Sequence, residues 1–379
     1  MAHASPAVCI TGLRGFPGVM GGIESHCEEL LPRIKSAAPD LSLTVLGRAP
    51  YLAEQHSSHG DVEVVGMRCP RSKHFETILS TLSAIFEARR RGASIVHIHA
   101  IGPALLAPLA RLLGMRVIVT HHGTDYDRAK WGRLAKIVLR GGERAALSFA
   151  DRVIAISPSL ADTLRRRFPN KADRIHYIPN GAPILPGEGE PDATFEKLGI
   201  GDAPFLLAVG RLVPEKGLHD LVDAHAIGTG DRKLVIVGGT DHDSDYARDL
   251  QSKAGERVIF AGVQPRPVLR HLFERTDLFV MPSYHEGLPI AALEAGSCGA
   301  PMLLSDIRPN RDVGLAERHY FPVGNIAALS AAIDRPVDHY AVDAAAIRDR
   351  FCWDRAAIET LAIYRDLAPM KAAPVTTSA

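Results

Sequence analysis

Residues 93–157 open with ASIVHIH (93–99), pass through MRVIVTHHG (115–123) and close with DRVIAIS (151–157), with a helix-length segment over 129–150 ahead of the third run. Short runs rich in Ile and Val read as strands, and their alternation with helical stretches is the rhythm of a parallel sheet covered by helices. Toward the amino end, PAVCITG (6–12), LSLTVLG (41–47) and DVEVVGM (61–67) repeat the strand signal, and 76–91 reads as a helix. Toward the carboxyl end the rhythm breaks at PNGAPILPGEGEPD (179–192), where turn formers without periodicity read as an interdomain linker. It resumes with APFLLAVG (203–210), RKLVIVGG (232–239), ERVIF (256–260), TDLFVMPS (276–283) and CGAPMLLS (298–305). Helices are expected over 217–227, 245–253, 265–275 and 289–297, and a last periodic segment runs from Trp353 to about Leu367.

The chain thus predicts an α/β protein with two Rossmann-like parallel-sheet domains facing across a cleft. Open α/β sheets bind ligands at the carboxyl ends of their strands, so function is sought in the strand-to-helix loops. A length of 379 residues, 46% hydrophobic and 23% charged, fits two globular domains and excludes a disordered or collagen-like chain. The expected boundaries are 1–180, a linker over 181–199, a second domain over 200–345, a helix over 346–368 that crosses back to the first domain, and a flexible tail over 369–379. Five cysteines without close pairing or metal-ligand spacing fit a reducing, cytoplasmic setting. The apolar stretch near 100–110 falls short of a bilayer span, and the first residues carry no export signal.

The net charge of +1 argues against a uniformly basic nucleic-acid binder. It conceals an asymmetry: residues 1–180 carry 24 Lys and Arg against 15 Asp and Glu, whereas 181–379 carry 20 against 28.

Five glycines follow the first strand in GLRGFPGVMGGIE (12–24), ahead of a helix beginning near Ile23. Such a loop lets amides approach an anion, although its spacing matches neither GxGxxG nor a Walker ending. In VGRLVPEKG (209–217), Arg211 and Lys216 are spaced to converge on a diphosphate, the alternative being ordinary surface charges. HEGLPIAALEAG (285–296) places Glu286 in an entry loop, Pro289 at the first helical position and Glu294 about 7.5 Å farther along the axis. Two such carboxylates suit separate parts of a polyhydroxylated ligand, or else a dipole-favoured acid and a solvated one. THHGTDYD (120–127) presents His121 and His122 after a strand, able to donate to a sugar or phosphate oxygen while titrating near cellular pH. Asp125 and Asp127 beside them leave an acid-base or metal role open, but a scattered His/Asp group lacks the spacing of a metal cluster. His97 and His99, alternating in a strand, read as strand-end or cleft packing.

Taken in order, GVMGGIE (18–24), THHGTDYD (120–127), YIPNG (177–181), VGRLVPEKG (209–217) and HEGLPIAALEAG (285–296) resemble glycosyltransferase family 4, over about residues 8–368. The resemblance implies the two-domain GT-B fold and transfer with retention of anomeric configuration. It assigns Gly21 and Gly22, with Arg211 and Lys216, to the diphosphate of a nucleotide-sugar donor. It further gives Glu286 the donor-sugar hydroxyls, Glu294 the ribose and His122 a place beside the transferred sugar. Gly287 and Leu288 complete the donor set; the catalytic residues are then His122, Arg211, Lys216 and Glu286, with no residue assigned to a metal. Cys352, in FCWDRAAIETLAIYR (351–365), stands where the family commonly has a small hydroxyl residue.

The implied activity is a hexosyl-type transferase of bacterial surface polysaccharide synthesis, acting on a saccharide or lipid-linked saccharide. Residues 120–140 resemble exopolysaccharide and rhamnosyl-type transferases. No tightly bound cofactor is expected, and Mg2+ dependence stays open. A GT-B sugar-nucleotide epimerase and a non-catalytic nucleotide-sugar-binding protein are the alternatives. Arg89, Arg90 and Arg91, the 128–144 segment and Arg165, Arg166 and Arg167 point to peripheral contact with an anionic membrane surface, or simply to solubility or interdomain attraction.

Overall fold

A computed structural model describes residues 6–70, 76–128, 132–187, 191–240 and 244–368. The expected tail over 369–379, residues 188–190 of the expected linker and residues 129–131 of the basic segment lie outside the described residues. The chain divides into two units, Met1–Asn180 with Trp353–Ala379, and Gly181–Cys352.

The first unit holds β1 (Ala7–Thr11), β2 (Ser42–Arg48), β3 (His56–His59), β4 (Val62–Met67), β5 (Ile95–His99), β6 (Arg116–His121), β7 (Arg152–Ala155) and β8 (Ile175–Tyr177). They form one sheet in the order β3-β4-β2-β1-β5-β6-β7-β8, parallel except for the β3–β4 pair. Val8 sits opposite Leu43 on one side and Ile95 on the other, so the chain order reverses at β1. A strand covered on both faces reads as a continuous buried run, as all five residues of β5 are, His97 and His99 included. The helices are α1 (Gly22–Ala37), α2 (Glu76–Arg90), α3 (Ala107–Leu112), α4 (Arg133–Phe149) and α5 (Pro158–Arg167).

In the second unit β9 (Phe205–Val209), β10 (Lys233–Val237), β11 (Val258–Gly262), β12 (Leu278–Met281), β13 (Met302–Ser305) and β14 (Tyr320–Phe321) form a parallel sheet in the order β11-β10-β9-β12-β13-β14. The chain order reverses here between β9 and β12. Its helices are α6 (Pro191–Lys197), α7 (Leu218–Ile227), α8 (Asp245–Lys253), α9 (Arg266–Arg275), α10 (Ile290–Ser297), α11 (Arg308–Arg311), α12 (Ile326–Ile333) and α13 (Ala344–Arg350). Leu206, Ile236, Val280 and Leu303 from the strands pack with Leu221 and Leu329 from α7 and α12.

Two expected boundaries differ. The segment 346–368 is not one helix: α13 ends at Arg350, Phe351 after it leaves the helical conformation at φ −113° and ψ 70°, and α14 (Trp353–Leu367) starts anew in the first unit. There Trp353, Ala357, Leu361 and Tyr364 join the core of α1 and β1. The stretch expected to be a linker belongs to the second unit from Gly181 onward. Ala182 N donates to Phe351 O at 2.6 Å and Ser297 Oγ to Pro183 O at 2.9 Å, so the segment is tied down by hydrogen bonds.

Candidate active site

The second unit's candidate residues lie at its switch point, in the loops that follow β9 and β12. Arg211 and Lys216 occupy the first loop, Glu286, Gly287 and Leu288 the second. Gly217 ends the first loop at φ +65°, and a Cβ there would stand 2.1 Å from Pro282 O. Only glycine satisfies both the left-handed backbone and that approach. The result is a direct link between the loops: Lys216 Nζ donates to Glu286 Oε1 at 2.6 Å, and Ser283 Oγ donates to the same oxygen at 2.7 Å. Ser283 is held in turn, its carbonyl accepting from Ser305 Oγ at 2.5 Å, while Asn310 Nδ2 donates to Ser305 Oγ at 2.9 Å.

A second tie runs through Tyr284. Its N–H donates to Glu215 O at 3.0 Å, its hydroxyl to Asp220 Oδ2 at 2.6 Å, and its ring stacks on His219 at 6.0 Å. The bond to Asp220, with burial, pushes the phenol up to about 12. Glu294 lies half-buried within α10, and Leu288 is buried. Pro289 caps α10 rather than opening it: its ψ of 101° is extended, and its carbonyl accepts from Ala292 and Leu293 N at 3.1 Å. Ser283, Tyr284 and Asp220 were not singled out from the sequence, because no motif spacing marks a residue that acts by holding a loop.

In the first unit the glycine loop follows β1, at the reversal of strand order. Arg14 N and Nε donate to Glu24 Oε1 at 3.0 and 3.2 Å, and Arg14 Nη2 donates to Met20 O. This clamp leaves no room for a side chain at Gly21, where a Cβ would stand 2.1 Å from Glu24 Oε2 and 2.6 Å from Arg14 Nη2. Gly22 opens α1, and the N–H groups of a first turn have no intrahelical acceptor, a setting that favours an anion.

His122 follows β6 and belongs to a group the sequence scatters over three elements. Its Nε2 lies 3.0 Å from His99 Nδ1, with the rings stacked at 5.2 Å, and His26 of α1 meets it edge-on at 4.8 Å. His26 Nδ1 pairs with Asn180 Oδ1 at 2.8 Å. His97 pairs through Nδ1 with Tyr364 Oη and through Nε2 with Thr120 Oγ1, both at 2.7 Å.

Burial disfavours the charged imidazole and drives His26 down to about 4 and His97 to about 3, with His99 and His122 well below their ordinary range. The expectation that His122 titrates near cellular pH is thereby corrected: burial pushes the ring well below that range. His121 goes elsewhere, its Nε2 3.3 Å from Glu143 Oε2, within a buried network completed by Tyr126 and Arg167. Asp125 pairs with Arg128 at 3.2 Å. Among the described residues, the group close enough to hold a metal is His26, His99 and His122, which includes neither aspartate.

Residues 20–184 match the sequence profile described as Glycosyltransferase Family 4, and residues 191–345 that described as Glycosyl transferases group 1. The chain is 32% identical to 2-deoxystreptamine N-acetyl-D-glucosaminyltransferase of Streptomyces fradiae, over 88% of this chain and 80% of that protein. It is 27% identical to alpha-maltose-1-phosphate synthase of Mycolicibacterium smegmatis, over 93% and 97%. Among solved structures, sucrose-phosphate synthase of Thermosynechococcus elongatus superposes with a TM-score of 0.81 at 23% identity, covering 96% of this chain and 99% of that one. Anabaena HepE, solved with UDP and glucose, superposes with a TM-score of 0.74 at 17% identity, covering 96% and 100%. Two sheets, each with candidate residues in the loops at its own switch point, and relatives of full length on both measures lead to one conclusion: the chain belongs to the GT-B glycosyltransferases related to Glycosyltransferase Family 4 and Glycosyl transferases group 1, enzymes that transfer a sugar from a nucleotide-sugar donor to an acceptor.

Proposed function

We propose that the chain is a retaining glycosyltransferase that extends a saccharide or lipid-linked saccharide in bacterial surface polysaccharide synthesis. The observation that carries this reading is the 2.6 Å pairing of Lys216 with Glu286 at the switch point of the second sheet. The pairing joins a cation suited to a phosphate and a carboxylate suited to hydroxyl groups, which supports the reading. Arg211 supplies a forked donor to the diphosphate and Lys216 a compact charge, so both stabilise the negative charge that grows as the phosphate leaves. Glu286 orients donor-sugar hydroxyls, Glu294 takes the ribose, and Gly287 and Leu288 shape the loop against the donor. In the first unit, Gly21 and Gly22 present amides to phosphate oxygens and His122 serves the transferred sugar as a neutral hydrogen-bonding ring.

Glu286 Oε1 already accepts two hydrogen bonds, which suits hydroxyl binding better than nucleophilic attack. In the mechanism that the family resemblance implies, the departing phosphate takes the acceptor proton on the face it leaves, and the anomeric configuration is kept. The protein is to be incubated with a panel of nucleotide sugars, UDP-glucose included, and a lipid-linked saccharide, and the product anomer read by NMR. A new glycosidic bond of the donor's configuration is expected. An inverted anomer overturns retention; epimerised donor without acceptor, or binding without reaction, overturns transfer. Arg211 and Lys216 neutralise the diphosphate without a cation, so transfer is expected to survive EDTA.

The acceptor proposal carries a location, the cytoplasmic membrane face. Among the described residues no helix is long and apolar enough to cross a membrane. Of the three basic segments, Arg90 and Arg91 pair with Glu87, and Arg165 and Arg167 with Asp162 and Glu143. α4 differs: Leu134 and Ile137 stand 76% and 64% exposed, Val138 is exposed beside them, and Arg133, Arg140 and Arg144 are exposed on the same helix. An apolar stripe at i, i+3 and i+4 flanked by arginines fits an anionic lipid surface.

A further inference from the structure

His26, His99 and His122 come from a helix, a strand and a loop, and each brings a ring nitrogen within 4.8 Å of the other two. His26 and His99 are buried, whereas His122 is half-buried. His26 Nδ1 is taken by Asn180 Oδ1 at 2.8 Å, an acceptor that requires the proton to sit on Nδ1. Nε2 is then left with its lone pair, and it is buried without a hydrogen-bond partner. A histidine whose far nitrogen is fixed by a carbonyl oxygen and whose near nitrogen is bare is arranged as metal-binding histidines are. His99 is fixed as well, its ring lying between those of His97 and His122 at 4.4 and 5.2 Å, with Cys27 Sγ 3.7 Å from its Nδ1.

From this arrangement we infer that the three histidines form a binding site for a late first-row divalent cation of the zinc class, and that its occupancy withdraws His122 from the sugar. Zn–N bonds of about 2.0–2.1 Å in a tetrahedron place ligand nitrogens about 3.3 Å apart. His99 Nδ1 and His122 Nε2 already stand at 3.0 Å, and the widest separation of 4.8 Å closes with a shift of about 1.5 Å. His122, in a loop and half-buried, is the ring able to make it. Three neutral imidazoles suit zinc, cobalt, nickel or copper and not magnesium or calcium, which take oxygen ligands. The site itself stands on geometry alone, and only its effect on transfer rests on the role proposed for His122.

Equilibrium dialysis of the full chain against Zn2+, and titration with Co2+ followed by its visible absorption, read the site without any reaction. One ion per chain with the spectrum of tetrahedral nitrogen-bound Co2+ is expected. His26→Gln should abolish it and Asn180→Ala should weaken it 10–100-fold, the range seen when the partner that orients a ligand is removed. Both variants should keep the wild-type circular dichroism, and the effect of metal on transfer is read against each variant's own rate without it. Zn2+ at one equivalent should lower wild-type transfer at least tenfold and leave His26→Gln unaffected. Absence of stoichiometric binding, or binding that His26→Gln leaves intact, overturns the site; stoichiometric binding with undiminished transfer overturns the withdrawal of His122.

Discussion

Lys216 and Glu286 share a hydrogen bond of 2.6 Å in a setting where Glu286 is largely shielded, so the two side chains hold each other in position. Lys216→Met is expected to lower kcat 10²–10³-fold, since one preorganised donor to developing charge is worth about that factor. Glu286→Gln should act comparably, and the double variant should lose little more than either single one, because groups that act as a unit are not additive. Steady-state rates of the three variants on one donor check this, and full multiplication of the two losses would contradict it. Glu143 makes a stability prediction at the same scale. Burial pulls its carboxyl up, but the hydrogen bonds from His121 and Tyr126 and the Arg167 charge outweigh that and hold it below the ordinary range. The unfolded chain then binds the proton first, so the contribution is full above the unfolded value of about 4.3 and is lost as pH falls through the folded one. Glu143→Gln should cost about 2–3 kcal/mol at pH 7 and flatten the acid limb of a urea-unfolding series below about pH 4.5. An acid limb unchanged by the substitution would contradict the assignment.

Single elements carry two further predictions. The outer face of α4 bears Leu134 and Ile137 while its inner face buries Gly142, Ala145, Ala146 and Leu147, so the two faces separate by substitution. Leu134→Glu with Ile137→Glu is expected to abolish co-sedimentation with anionic vesicles at low salt and to spare transfer to a soluble acceptor. Retained vesicle binding would move the contact off α4. Cys352 precedes the first residue of α14, where a hydroxyl accepts from the first-turn N–H groups and a thiol does so poorly. Cys352→Ser should therefore stabilise the chain by about 0.5–1 kcal/mol in urea unfolding, and a loss of stability would show that the thiol is packed rather than idle. The elements also mark how far periodicity reaches. α8 fills the expected 245–253 and α7 begins one residue inside 217–227, because each buries one apolar face under a clear start signal. β3 is HSSH, β8 three residues and β14 two, too short or too polar for an alternation of period two to register. The break between α13 and α14 escaped for another reason. Both helices keep helical spacing, and the bond from Ala182 N to Phe351 O, across 169 positions, holds the residue at which the backbone turns away.

For the whole molecule, the near-zero net charge conceals a basic amino-terminal half and an acidic carboxyl-terminal one, and each half folds around its own parallel sheet. In both sheets the chain order reverses beside the strands whose loops carry the candidate residues, Gly21 and Gly22 after β1, Arg211 and Lys216 after β9, Glu286 after β12. Those residues were legible because local chemistry needs them at short spacing: glycines before a helix, a basic pair in one turn, two acids about a helix entry. The residues that brace them were not. His26, Asn180, Tyr284 and Asp220 act through partners distant in the chain, and no local pattern records such a pairing. Cα topology brings them together only once the sheets are built. The most direct measurement is the release of nucleoside diphosphate from a sugar donor with and without acceptor, for wild type, Lys216→Met and Glu286→Gln. Release that requires acceptor, accompanies a new glycosidic bond and falls at least a hundredfold in both variants is the expected result. Turnover of the donor without acceptor, or variants that keep the wild-type rate, would contradict it.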